Sequence, residues 1–559
     1  MSMDSGESAL QALAGFDRAL AFNPDWIDAL KGKALALKAL GRIDEAFQIL
    51  AKAIAVDPQD GSAFNDIGLV LMDLGQFELA KRCLEASVEL LPNSAACYNN
   101  LGTVLNVLKQ YEPALACFDQ AIGFDAQLAH AYSNRSSALE GLMRLSEAIQ
   151  SCEMALQLDA KLVKTRNKLG VMLTEVGSFE KALGHFDHLI DEMPDYVPAH
   201  INKANALSAT KRFDEAKQSL QTALLLDPEN NLARWNLALL LLRMGDYANG
   251  WPLYELGWAI HMRGYRRDFS PPAWLGDVSI AGKTLLLWAE QGLGDSLQFC
   301  RYVSLVKSRG ARVLLELPQP LTTLLSAMEG VDECIEAGKP LPPFDFHCPL
   351  MSLPFVFQTT LQTIPSPNAY LQADPQKVRH WSNKFRETGR SRPNRLKVGL
   401  VWNGGARPNQ PNLWYLNQRR NLDIEIVSFH LKDIDADFWS LQKGEPAESA
   451  LRGKELSYWP KGNLFNFVDD LLDFADTAAL ITNLDLVISV DTSTAHLAAA
   501  LGKPTWILSR YDNCWRWLEE RADSPWYASV KLYRQGDDRD WNPVVAQVAR
   551  DLRHYLSQF

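Results

Sequence analysis

Residues 59–92 read QDGSAFNDIGLVLMDLGQFELAKRCLEASVELLP, and this frame of 34 residues occurs six times in succession between Asp25 and Pro228. The frames close alike, at Asp57-Pro58, Leu91-Pro92, Asp125-Ala126, Asp159-Ala160, Met193-Pro194 and Asp227-Pro228. One phase within them is always alanine: Ala46, Ala80, Ala114, Ala148, Ala182 and Ala216. In the quoted frame Phe64, Ile67, Gly68 and Leu71 recur at helical spacing, Gly75 makes a turn, and Ala80, Leu84 and Ser87 mark a second helix. Gly68, Gly102 and Gly170 share a phase at which two helices must come close, a packing role.

A fixed period of 34 with small residues at helix crossings is the signature of a tetratricopeptide array, a superhelix of helical hairpins with a partner-binding groove. The array is expected over residues 1–260, with residues 5–24 as a capping helix closed by Asn23-Pro24. A degenerate seventh repeat starts at Asn231. Its Trp251, Tyr254 and Trp258 are larger than their counterparts and predict docking onto a following domain. Counting by 34 also aligns Asp66, Asn100, Asn134, Lys168, Asn202 and Asn236 on the first helix of each repeat. An amide offers both a donor and an acceptor, so such a ladder can clamp an extended peptide backbone. It resembles the asparagine ladder of the O-GlcNAc transferase array. Asp66, Asn100, Asn134, Asn202 and Asn236 are therefore expected to bind an acceptor, with Lys168 interrupting the ladder; inter-repeat packing is the alternative reading. His185 and His188 read as helix-face residues rather than metal ligands.

A chain of 559 residues is long enough for two to four domains. Its 47% hydrophobic and 22% charged residues are those of an ordinary globular protein, and a net charge of −11 argues against nucleic acid as a partner. The eight cysteines form no CxxC pair, which removes support for a zinc or dithiol motif. The sequence opens without a basic-then-apolar leader and contains no apolar run of about 18 residues, so a cytoplasmic protein without a membrane span is expected.

Beyond Arg263 the pattern changes. Arg266, Arg267, Pro271 and Pro272 break helical periodicity, predicting a linker over 261–280. Strands are expected at Thr284–Ala289, Arg312–Leu317, Lys397–Trp402 and Leu484–Val490, with helices between them, as in parallel sheets. Two α/β domains facing a cleft are expected, over 281–375 and 376–559. Ligands of such domains sit at the C-terminal ends of strands. Two loops lie there: Glu290-Gln291-Gly292-Leu293-Gly294-Asp295, and Asp491-Thr492-Ser493-Thr494-Ala495-His496 opening a small-residue helix. Free amides and hydroxyls at a helix start suit a phosphate group. Asp435-Ala436-Asp437 has the form of a metal-binding DxD but reads as the approach to a strand, and no metal site is expected.

The two loops, in this order and about 200 residues apart, resemble those of heptosyltransferase-type glycosyltransferases of the GT-B fold. Trp402-Asn403-Gly404, Arg419-Arg420-Asn421, Leu441-Gln442-Lys443-Gly444 and Trp515-Arg516-Trp517 resemble bacterial proteins that fuse tetratricopeptide repeats to such a domain. The resemblance spans residues 25–555. It implies an α-helical tetratricopeptide superhelix followed by an α/β GT-B glycosyltransferase, two Rossmann-like domains facing a cleft. By position it implies Asp295 as the general base that takes the acceptor proton. Gly292, Gly294, Asp491, Thr492, Ser493, Thr494 and His496 are assigned to the donor, and Arg419 and Arg420 are candidates to face the charge of the leaving diphosphate. Ser493 replaces the glycine of heptosyltransferases, and their second-domain lysine has no counterpart between Asn403 and Gln418.

The expectation is a cytoplasmic, metal-independent, inverting transfer from a nucleotide sugar, a co-substrate rather than a cofactor, to Ser or Thr of a protein held in the groove. Flagellin is a plausible acceptor by analogy with flagellin glycosyltransferases of this layout. Two rivals are transfer to a lipid or polysaccharide precursor and a non-catalytic scaffold.

Overall fold

Fifteen helices run from Met3 to Glu255 among the described residues. A frame starts with a helix of 13 residues, such as Gly61–Asp73, and continues with one of 14, such as Phe77–Leu90. The turn between them reverses the chain through one left-handed residue at a constant phase. Gly41, Gly75, Gly177 and Gly245 occupy it with φ of 71 to 83°, Lys109, Met143 and Lys211 with φ of 59 to 62°. Between frames, Asp57, Asp125 and Asp159 each accept the N–H two residues on at 2.9 Å, an Asx turn that accounts for the closing Asp-Pro and Asp-Ala pairs. The six phased alanines are fully buried. A Cβ on Gly102 would stand 2.7 Å from the Phe118 ring, and one on Gly170 2.5 Å from Phe186, so these glycines allow the helices of a hairpin to touch.

The computed structural model describes all residues except 1, 2, 265, 367, 388–394, 406–417 and 559. They form two compact units, Met1–Asn202 and Lys203–Phe559. The second unit holds the last repeats together with two parallel sheets. One contains β1 (Thr284–Trp288), β2 (Arg312–Leu317), β3 (Glu333–Glu336) and β4 (Phe346–Pro349) in the order β3-β2-β1-β4. The other contains β5 (Lys397–Val401), β6 (Asp437–Ser440), β7 (Leu464–Asn466), β8 (Leu486–Val490), β9 (Thr505–Ser509) and β10 (Val530–Arg534) in the order β10-β9-β8-β5-β6-β7. β8 and β9 are buried along their whole length, as parallel strands covered on both faces must be. Strand order reverses between β1 and β4 and between β8 and β5, the switch points at which doubly wound sheets bind ligands. The architecture is a helical tetratricopeptide superhelix followed by a parallel-sheet α/β region, consistent with GT-B.

One hydrophobic core joins Trp235, Trp251 and Tyr254 of the last repeat to Leu285 and Leu315 of the first sheet and Val487 and Ile507 of the second. Trp251 meets Trp515 at 5.3 Å and Phe299 at 6.4 Å, both edge-on, and Trp526 Nε1 donates to the Tyr247 hydroxyl at 3.1 Å. Within 261–280 Arg263, Trp274 and Ile280 are deeply buried, and the Trp274 N–H donates to His347 O of β4 at 2.8 Å. The Asp435-Ala436-Asp437 segment is tied internally, since Arg395 donates to Asp435 at 2.6 Å and to Asp437 at 3.0 Å. No described helix is long and apolar enough to cross a membrane.

Candidate active site

The loop after β1 turns directly into the helix Leu293–Phe299. Asp295 Oδ2 accepts the Gly292 N–H at 3.0 Å, and the Asp295 N–H donates to Gly292 O at 3.0 Å, so the loop closes on its own aspartate. The other oxygen, Oδ1, receives Arg516 Nη2 from the opposite Rossmann half. The carboxylate keeps 22% of its side-chain exposure.

The loop after β8 starts the helix Ser493–Ala500 with Thr492 as its N-cap residue. The Thr492 hydroxyl lies 3.0 Å from Ser489 Oγ and does not cap the helix, so it does not occupy the first-turn amides. Asp491, Thr492, Ser493 and Thr494 are half-buried at the rim, whereas His496 is buried. A Cβ on Gly294 would come within 3.0 Å of His496 Cδ2 and 3.5 Å of Ser493 Cα. The structure thus brings the two loops, from separate sheets and both at switch points, into direct contact. A side chain at Gly294 would press on the His496 ring, so glycine suits this close approach.

His496 Nδ1 pairs with the Tyr527 hydroxyl at 2.8 Å and its ring stacks on Trp517 at 5.3 Å. Burial, the largest influence, depresses its pKa to about 4, so it is neutral at pH 7. Its Nε2 stands 3.8 Å from Asp491 Oδ1, beyond hydrogen-bond reach. A neutral imidazole in this position orients the helix start and the aromatic wall; it does not supply a cation for a diphosphate.

The two arginines after β5 diverge. Arg420 Nη1 donates to Asp491 O at 3.0 Å, and its guanidinium lies on Gly404, where a Cβ would stand 2.1 Å from Nη2. Its charge therefore borders the Asp491–Thr494 loop. Arg419 pairs with Asp512 at 3.3 Å. Gln442 shapes the neighbouring turn, accepting the N–H groups of Trp402 and Asn403 at 3.1 and 2.9 Å. The stretch between Asn403 and Gln418 contains no lysine, and most of it, residues 406–417, lies outside the described residues.

Sequence reasoning gave no role to the charges buried beneath the first loop. Arg263 donates to Glu255 at 2.6 Å, Glu290 at 2.7 Å and Ser352 Oγ at 3.1 Å, with its guanidinium 4.5 Å over Trp258. Burial alone would lower the Arg263 pKa, but Glu255 and Glu290 outweigh it and raise it. Burial pushes Glu290 up, against the pull of Arg263. Glu255 ends the last repeat and Glu290 begins the site loop, so one buried cation fastens the two. The available signal was Arg263 five residues after Trp258, where the array ends. Arg516 was visible only as part of Trp515-Arg516-Trp517, a stretch that carries the family resemblance without assigning it a role.

In the first unit the ladder amides are partly engaged. Asn100, Asn134 and Asn202 donate Nδ2 to Asn65, Asn99 and Asn167 of the preceding repeat at 2.8, 3.0 and 3.0 Å. Asp66 receives the Asn65 amide at 3.4 Å. Lys168 makes the same backward reach with an ammonium, to Ser133 O at 3.4 Å and Ser136 Oγ at 3.3 Å. In the second unit Asn236 sits half-buried on the helix Asn231–Arg243.

The chain carries tetratricopeptide repeats followed by a glycosyltransferase family 9 (heptosyltransferase) domain. The family model matches residues 470–516, which include the Asp491–His496 loop and Arg516, and tetratricopeptide models match residues 29–60, 65–129 and 173–237. It is similar to Protein FlbA of Caulobacter vibrioides, with 27% identity over 421 residues, 70% of this chain and 67% of that protein. A shorter similarity, 34% over 82 residues, links 15% of the chain to 12% of the inactive TPR repeat-containing thioredoxin TTL3 of Arabidopsis thaliana. Among solved structures, YrrB, a TPR protein with an unusual peptide-binding site, overlaps 33% of this chain and 95% of its own at 21% identity and a TM-score of 0.30.

Proposed function

We propose that the protein is a metal-independent, inverting glycosyltransferase of GT-B type that moves a sugar from a nucleotide-sugar donor to Ser or Thr of a protein acceptor in the cytoplasm, with flagellin as the first acceptor to test. The observation that carries this reading is the convergence of Asp295 and the Asp491–His496 loop, each at the switch point of its own sheet, through the Gly294–His496 contact. Asp295 takes the proton of the attacking hydroxyl. The Thr492–Thr494 hydroxyls and helix-start amides, with Gly292 and Gly294 opposite, receive the donor diphosphate, and Arg420 faces its developing charge. Arg419, held by Asp512, lines the approach, and Asp491 takes a sugar or ribose hydroxyl. The array presents the polypeptide, with Asp66, Asn100, Asn134, Asn202 and Asn236 along its path.

The test is intact-mass analysis of flagellin co-expressed with the full chain. Wild type adds a sugar mass, and Asp295→Ala removes it with a rate loss of about 10²- to 10⁴-fold, the worth of a positioned base. Undiminished modification by Asp295→Ala rejects the assigned base. A glycosylated lipid with no change in any protein mass rejects the protein acceptor.

A further inference from the structure

Arg516 has no part in the scheme above, yet it is the side chain that reaches Asp295 across the two Rossmann halves. Its Nη2 donates to Asp295 Oδ1, its Nε donates to Gln298 Oε1 at 2.7 Å, and its Nη1 donates to Cys514 Sγ at 3.0 Å. Asp295 and Gln298 lie three residues apart on the helix Leu293–Phe299, so one planar guanidinium grips one face of that helix. The cation also lies 4.3 Å over the Trp515 ring. With Oδ2 on the Gly292 N–H, the carboxylate is held at both oxygens and still retains its exposed fraction.

The loop that delivers Arg516 is itself clamped. Glu519 accepts Arg243 Nη2 at 2.8 Å and lies 3.4 Å from Lys211 Nζ, both from the last repeats. Leu518 and Glu520 on either side take left-handed φ values of 50 and 54°. A non-glycine residue there costs on the order of 1–2 kcal/mol, and such strain persists only where the surroundings enforce it. Trp515 is wedged against Trp251, and Trp517 against His496.

We infer that Arg516 is a positioning residue: it aims the Asp295 carboxylate at the acceptor hydroxyl, and the last repeat, through Arg243 and Glu519, holds the loop from which it acts. The inference rests on Asp295 being the base. In the step it serves, the acceptor O–H breaks and its proton passes to Asp295. The acceptor oxygen bonds the anomeric carbon, and the bond from that carbon to the donor phosphate breaks with its electron pair leaving on the nucleotide. Arg516 neither gains nor loses a proton. A positioning role affects the chemical step far more than donor binding, since misplacing a reacting group by about 1 Å costs about 10²-fold.

The experiment uses the purified full chain, unmodified flagellin and a panel of UDP-, GDP-, dTDP- and CMP-hexoses, with transfer followed by intact mass and kcat and donor KM determined for the sugar that reacts. Arg516→Met is expected to lower kcat about 10²-fold with donor KM within about threefold, and Arg516→Lys to recover about tenfold of that loss. Where Arg516→Met melts early, Gln298→Leu, which removes the Nε anchor alone, shows the same kcat-selective loss in milder form. Wild-type kcat in Arg516→Met, or a loss confined to donor KM, overturns the inference. Asp295→Asn separates the two levels. Activity retained there overturns the base assignment beneath the inference, whereas loss there with a normal Arg516→Met overturns Arg516 alone. A wild type inert across the whole panel overturns both.

Discussion

At the scale of single residues, His496 ties the site to pH. Its pKa, depressed to about 4 chiefly by burial, is pulled upward by Asp491 and Asp295 and downward by Arg516 and Arg301. In the unfolded chain the same imidazole titrates near 6.5, so the unfolded state binds the proton more readily between these values. The stabilisation is complete above about 6.5 and is lost as pH falls towards 4, on the order of 3 kcal/mol in all. His347, lowered to about 4 by burial and the nearby Arg266 and Arg267, adds a change of the same sign. The expected result is a melting temperature that declines from pH 7 to pH 4.5, with a shallower decline in His496→Asn. Identical slopes for the two proteins would mean the imidazole is not buried neutral.

At the scale of elements, the helix pairs give opposite outcomes for the same substitution. Alanine in place of a mid-helix glycine gains about 0.5–1 kcal/mol in backbone terms. At Gly102 the new methyl meets the fully buried Phe118 ring at 2.7 Å, an overpacking cost of about 1–3 kcal/mol that outweighs the gain. At Gly123, in the last turn of the helix Tyr111–Phe124, nothing lies within 4 Å, so no overpacking cost opposes a backbone gain. Thermal melts should therefore fall for Gly102→Ala and rise for Gly123→Ala; a rise for both would show that the hairpin has room to open. The Gly102 phase was legible in the sequence because glycine recurs there in three of the six frames, at Gly68, Gly102 and Gly170. So were the two site loops, since glycine, aspartate and small hydroxyl residues at strand ends carry local signals. The Arg516–Asp295 and Arg263–Glu290 pairs were not, because their partners lie 221 and 27 residues apart and belong to no period. The left-handed turn at Lys109, Met143 and Lys211 was hidden for a different reason: tertiary packing imposes it on residues with no preference for it.

At the scale of the whole molecule, the last repeat is structurally part of the α/β unit. Cutting at residue 280 would remove Tyr247, Trp251, Tyr254, Glu255 and Arg263, stripping the cover from Trp515 and Trp526 and leaving the Glu290 carboxylate buried without its cation. Removing one partner of a buried ion pair costs about 3–5 kcal/mol, a large share of a domain's stability. A fragment starting at Lys203 should resist limited proteolysis, and one starting at Ala281 should be degraded; equal resistance would mean the repeat only rests on the surface. The asparagine staples have a consequence of another kind. Asn100, Asn134 and Asn202, and Lys168 in its own way, each reach back 35 positions to the preceding frame and no further. A repeat of this kind recognises its predecessor and keeps no tally of how many came before. Interior frames of 34 can therefore be duplicated or deleted whole with the seams rejoining, which makes groove length a quantity that descent can adjust in fixed steps while the chemistry at the far end is left alone.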